Sequence, residues 1–127
     1  MSSKHDKLDD IFIKRNLFME RLESIKPGSY PTDRLDLSSK HTQQRLRESA
    51  LKGVEEMFEA LAHLKNWKPH RFTDVPDFNR EEFLEEVVDA FNYFFALLIQ
   101  VGVTSDEFYD AFLKKDDIIH HRLDDKY

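Results

Sequence analysis

Acidic residues recur at helical spacing in two places. Glu56 and Glu59 form E-x-x-E, and Glu86 and Asp89 form E-x-x-D, with residues 60–85 between them. At about 100° per residue, positions three apart lie roughly 60° from each other, so each pair shares one face of a helix. Two neighbouring helices presenting such pairs can surround hard cations, and an all-oxygen donor set suits Mg²⁺, or Mn²⁺. Mg²⁺ usually keeps waters and completes its shell with substrate phosphates. The second pair belongs to residues 79–103, which from Val87 onward are apolar on nearly every side and read as a helix buried in mid-domain. Ionised carboxylates inside a core are costly unless a cation or hydrogen bonds hold them. A metal ion is the simplest way to keep Glu86 and Asp89 there. A solvated helix face is the competing reading for Glu56 and Glu59, and a buried basic partner is the competing reading for Asp89. Glu55, Glu81, Glu82 and Glu85 read as solvent-facing.

The elements that must position these groups are helical. Leu8, Ile11, Phe18, Leu22 and Ile25 predict an amphipathic helix over residues 7–25, stopped by Pro27-Gly28. Residues 26–40 read as a loop that Leu35 and Leu37 pin to the core. Leu46, Ala50, Val54, Met57, Leu61 and Leu64 predict one apolar seam on a helix from about His41 to Trp67. Lys68-Pro69 ends it, and residues 68–78 form a polar connection. Asn79 with Glu82 is a capping box for the central helix, which Gly102 closes. Thr104 with Glu107 opens a last helix from Ser105 to about Leu123, with Phe108, Ala111, Phe112 and Ile119 on its apolar side, and residues 124–127 are expected to fray. No strand pattern or internal repeat appears. The expected fold is all-α, a four-to-five-helix bundle in a single domain spanning residues 1–127.

The chain has 127 residues, with 35% charged and a net charge of −6. That balance argues against a nucleic-acid partner, which would want a basic face. An anionic ligand remains open if divalent metal supplies the positive charge. There is no cysteine, hence no disulfide framework or zinc-thiolate site, and the compartment reads as cytoplasmic. The polar start MSSKHDKLDD lacks the apolar core of a signal peptide. Asp89, Asn92 and Gln100 interrupt the longest apolar run, so no membrane span is expected. Eleven Phe are a heavy apolar load for this length, to be absorbed by a rich core or a subunit interface.

EEMFEALAHLKNW followed by FLEEVVDAFNYFFALLIQVGVTSDEFYDAFLKK resembles the all-α nucleoside triphosphate pyrophosphohydrolases, a superfamily that includes the dimeric dUTPases and the MazG-like proteins, many of them phage-encoded. The resemblance covers about residues 52–122, more than half of the chain. It implies that Glu56, Glu59, Glu86 and Asp89 bind Mg²⁺ bridging a nucleoside triphosphate. Water would attack the α-phosphorus, with Glu59 as its base, releasing pyrophosphate and a nucleoside monophosphate. It also implies cations on the last helix: Lys114, Lys115 and Arg122, of which Lys115 and Arg122 share a face. Two positions depart from the family pattern there, with Ile119 where an Asn is usual and Leu123 where a Gln is usual. The first helix, LFMERLES, has no clear equivalent of the residues with which dimeric dUTPases read uracil. dUTP is therefore not singled out, and the expected substrate is a (deoxy)nucleoside triphosphate, dUTP or another deoxynucleotide.

Two further residues carry open alternatives. Asn92, one turn beyond Asp89, orients a carboxylate, touches the sugar or hydrogen-bonds within the core. Trp67 stacks on a base or plugs a helix end. The histidines do not make a di-iron site, since Glu59 and His63 are four apart and the required Glu-x-x-His pairs are missing. A homodimer or homotetramer is expected, with the partner contributing the loop at 26–40 or the Lys114/Arg122 end to the pocket. The rival reading is a catalytically silent relative that binds nucleotide or acts as an interaction bundle.

Overall fold

Local capping chemistry sets where the four helices begin. In the computed structural model, which describes residues 6–31 and 35–125, helix α1 spans Lys7–Ile25 and opens on a capping box. The Asp6 carboxylate accepts the Asp9 N–H at 2.8 Å, and Asp9 accepts the Asp6 N–H in return. Helix α2 spans Lys40–Leu61, where Ser39 Oγ accepts the Thr42 N–H at 3.1 Å. Helix α3 spans Arg80–Val101 and starts where Asn79 Oδ1 accepts the Glu82 N–H. Helix α4 spans Ser105–Asp124, opened by Thr104 Oγ1 accepting the Glu107 N–H. No strand occurs among the described residues, and the fold class is all-α. The centre of the 26–40 loop (residues 32–34) and the last tail residues, 126–127, lie outside the described residues.

Glycine decides the turn out of α3. Gly102 adopts φ +90°, the left-handed conformation that costs other residues a Cβ clash. Its N–H donates to Ile99 O at 3.0 Å and the Val103 N–H donates to Leu98 O at 2.9 Å. These two bonds satisfy carbonyls that the helix end would otherwise orphan.

The chain falls into two compact units, one made of Met1–Thr32 with Leu98–Tyr127, the other of Asp33–Leu97. In the first, α1 meets α4: Phe12 and Phe108 rings lie 6.3 Å apart, and Ser105 Oγ donates to Asp9. Phe12 and Met19 are the buried residues of α1. The expected face was one position off, because Ile11, Phe18 and Ile25 are exposed while Leu8 and Leu22 are half-buried. Contact with Phe108 selects the Phe12 side of a helix that is apolar on more than one side. After α1, the Glu23 carboxylate accepts the N–H groups of Gly28 and Tyr30, which folds the loop start back on the helix.

The second unit pairs α2 with α3. The expected helix to Trp67 stops six residues early. After Leu61 the chain tightens, His63 N–H donating to Ala60 O and Leu64 N–H to Leu61 O, each over three residues. Asn66 then turns its carboxamide on Val75, donating from Nδ2 to Val75 O and accepting the Val75 N–H, both at 2.8 Å. A side chain that closes a loop in this way competes with continuing the helix. The leucine seam is corrected too. The buried residues of α2 are Gly53 and Ala60, whereas Val54, Leu61 and Leu64 are exposed. Nor is α3 buried all round: Ala90 and Ala96 are inside, while Leu84, Val88, Phe91 and Val101 are exposed. On α4 the expected apolar side is uncovered at Phe112 and Ile119, and only Ser105 and Phe108 are even half-buried. Leu37 is exposed and pins nothing, while Leu35 is half-buried.

Candidate functional site

Small residues bring α2 and α3 together. A methyl group on Gly53 would sit 2.7 Å from Phe94 Cε1 and 3.0 Å from both Ala90 O and Tyr93 Cβ, so α3 occupies the space a side chain would take. Ala60 and Ala90 are fully buried. Glu56 and Glu59 lie between Gly53 and Ala60 on α2. Glu86 and Asp89 flank the approach to Ala90 on α3. The close contact therefore sets the two acidic pairs opposite each other.

Electrostatics registers that placement. The Glu56 carboxyl is held above its ordinary range, first by partial removal from water, then by the charge of Glu59 and a hydrogen bond shared with it, then by the charges of Asp89 and Glu86. Glu59, Asp89 and Glu86 are thus all near enough to act on Glu56 within a single unit. They are less enclosed than the sequence suggests. Glu56 and Glu86 are half-buried, but Glu59 and Asp89 are exposed, and Asp89 needs no buried basic partner. The cluster sits at the rim of the helix pair, where water shares the cost of the charges. Among the described residues, no group of three or more His, Asp or Glu side chains is placed so that it could hold a metal ion.

A neighbour that sequence spacing left aside lies against this cluster. His63 Nε2 is 2.9 Å from Glu86 Oε2. Oε2 is shielded from solvent and accepts no aligned hydrogen bond from any described residue. The available sequence signal was the four-residue step from Glu59 to His63, which on a helix puts both on one face. It carries meaning only once α3 is known to pass the end of α2.

His63 also borders a hollow of about 260 Å³ lined by Asn66, Trp67, Val75 and Phe78. Trp67 is 69% exposed at its edge and does not plug the helix end. Lys68 Nζ stands 5.6 Å from the Trp67 ring centroid. The Asn66–Val75 bracket holds this wall in place, and Phe72, within the loop it closes, is fully exposed. Asn92 is half-buried on α3, one turn from Asp89. Lys114, Lys115 and Arg122 stand exposed along α4, in the other unit.

Comparison with protein-family models gives no match, and neither curated proteins nor solved structures give one. Among the described residues no single helix is long and apolar enough to cross a membrane.

Proposed function

We propose that the chain is a Mg²⁺-dependent nucleoside triphosphate pyrophosphatase acting on a deoxynucleoside triphosphate. What supports this reading is the nearness of Glu59, Glu86 and Asp89 to Glu56, whose carboxyl their charges help to raise. Their spacing, and the resemblance of residues 52–122 to the all-α pyrophosphohydrolases, supply the substrate class.

The donor type, carboxylate oxygen, is the one a hard cation takes, although among the described residues no three such side chains are placed to hold one. Divalent ions held there would neutralise the phosphate oxygens and the pyrophosphate leaving group. Glu59, the more exposed of the α2 pair, orients a water molecule and takes its proton as the water oxygen bonds to the α-phosphorus. The bridging bond from that phosphorus breaks, and pyrophosphate departs with its electron pair. Trp67, at the edge of the hollow, is placed to stack on a base. Asn92, one turn from Asp89, would orient a carboxylate or touch the sugar. Lys114, Lys115 and Arg122 are assigned to phosphate by resemblance alone, contributed from a second copy of the chain.

Self-association belongs to the same proposal. Leu51, Val54 and Phe58 on α2 and Leu84, Val88 and Phe91 on α3 are exposed, with Phe58 at 67%. Full burial of such a side chain is worth roughly 1.5–3 kcal/mol, and the half or so still exposed here is what a homodimer or homotetramer would recover. Light scattering should give a mass at least twice that of the chain, reduced by Phe58→Glu. The absence of cysteine agrees with action in a reducing cytoplasm, bacterial or phage-infected.

The deciding experiment incubates the protein with a panel of nucleoside and deoxynucleoside triphosphates plus Mg²⁺ and assays pyrophosphate. Release from at least one deoxynucleotide, lost in Glu59→Gln, is expected. No release from any nucleotide by the folded protein would favour a catalytically silent nucleotide-binding relative.

A further inference from the structure

We infer that the loop after α2 is a nucleotide-holding surface, where a base stacks on Trp67 and its phosphates meet Lys65, Lys68 and Arg71. The nucleotide class rests on the reading above, but the binding calls for no ion at the carboxylates.

The charge pattern comes first. The chain carries a net charge of −6, yet no carboxylate lies between Glu59 and Asp74. Within that gap stand Lys65, Lys68 and Arg71, all exposed, and none is paired with a carboxylate among the described residues. A basic stretch of this kind raises the local concentration of anions. Backbone geometry then gathers the cations. The Arg71 N–H donates to Lys68 O at 3.2 Å, closing a turn with Pro69 at its second position, where the fixed φ of proline suits the reversal. The two ends of such a turn lie within about 7 Å, close enough for one phosphate chain to meet both side chains. Lys65 lines the same hollow as Trp67.

An aromatic surface lies beside these charges. Trp67 presents most of its ring to solvent at the mouth of the hollow. At about 260 Å³ the hollow is smaller than the roughly 300–1,000 Å³ usual for drug-sized ligands, which leaves room for one ring system. Phe78 forms part of its wall and packs on Phe83, with ring centroids 5.5 Å apart. The Asn66 carboxamide is committed to Val75, so a base is received by its face rather than read at its edge. The same bracket fixes the loop, so less freedom is lost when a ligand binds.

Trp67 is the single tryptophan of the chain, so its fluorescence reports on this site alone. The test titrates the full chain in EDTA with dUTP, dATP, their deoxynucleosides and inorganic tripolyphosphate. Both triphosphates should quench Trp67 saturably, with affinity at least about tenfold above the matching deoxynucleoside. Tripolyphosphate should displace them without quenching. The double variant Lys68→Gln/Arg71→Gln, changed only at exposed positions, should bring triphosphate affinity down toward that of the deoxynucleoside and leave the latter unaltered. Trp67→Leu, followed by calorimetry, should lose about 5- to 150-fold for every base-bearing ligand. Equal affinity for triphosphate and deoxynucleoside would overturn the inference, as would a double variant that binds like wild type. An oligodeoxynucleotide bound more than about tenfold tighter than either mononucleotide would make this a single-stranded nucleic acid surface instead. Pyrophosphate release with no Trp67 response would overturn this site and leave the hydrolase reading standing. A Trp67 response without hydrolysis would do the reverse.

Discussion

Replacing Gly53 with alanine gives a change whose sign, not only its size, reports on the contact that builds the site. In a helix interior, alanine is ordinarily better than glycine by about 1 kcal/mol, because glycine loses more backbone freedom on folding. At Gly53 the added methyl would meet Phe94 Cε1 at 2.7 Å, Ala90 O at 3.0 Å and Tyr93 Cβ at 3.0 Å. The Phe94 ring edge can rotate away. The other two atoms are fixed to the α3 backbone, so α2 and α3 must part by roughly half an ångström to restore contacts of about 3.5 Å or more. Overpacking of this kind costs typically about 1–3 kcal/mol. Set against the propensity gain, the expected net effect is a loss of about 1 kcal/mol, or a fall in melting temperature of about 3–8 °C. Thermal unfolding at fixed protein concentration measures it, since self-association would otherwise shift the midpoint. The separation should also weaken divalent-metal binding, because the acidic pairs flank this point. A Gly53→Ala protein stabilised by about 1 kcal/mol would show that α3 does not pass there, and the juxtaposition of the acidic pairs would fall with it.

Other outcomes follow from the same geometry. Glu59→Gln should lower turnover by about 10²–10⁴-fold while nucleotide binding, followed by calorimetry, largely survives. Asp89→Asn should weaken the Mg²⁺ dependence of activity, and unaltered kinetics would remove Asp89 from the ligand set. The raised Glu56 carboxyl makes the metal-free fold bind a proton that the unfolded chain releases, so stability should fall as pH rises from the ordinary carboxylate range through the elevated one. Urea titrations from pH 4 to 8 should show that slope in wild type and a shallower one in Glu56→Gln. Asn66→Ala removes both hydrogen bonds to Val75, costing about 1–2 kcal/mol, and limited trypsin digestion should then cut faster at Arg71 with helical content unchanged.

The limits of α1, α3 and α4 were legible because their signals are local. Asn79, Gly102 and Thr104 act through their own turns, and each does so as their chemistry predicts. The end of α2 was not legible, because it depends on Asn66 finding Val75 nine residues away. Which face is inward was the least legible. A glycine inside a helix reads as a local weakness, yet Gly53 is where α3 comes nearest, and that is a property of the pair. Of the predicted seam, Leu46, Ala50 and Met57 are half-buried and Val54, Leu61 and Leu64 exposed, because Gly53, Ala60 and Ala90 allow closer approach than any leucine would. The four acidic positions emerged from spacing, since one helical face is fixed by residue separation. Their exposure did not, because Asp89 is apolar-flanked in sequence but stands at the rim in space. His63 escaped for a further reason: its partner, Glu86, is on another helix.

Hydrolysis of the preferred deoxynucleoside triphosphate in ¹⁸O-labelled water with Mg²⁺, followed by mass spectrometry of the products, addresses the site and its chemistry at once. Water directed at the α-phosphorus places the label in the nucleoside monophosphate and leaves the pyrophosphate unlabelled. Label in pyrophosphate or in orthophosphate would contradict the account, as would the absence of turnover.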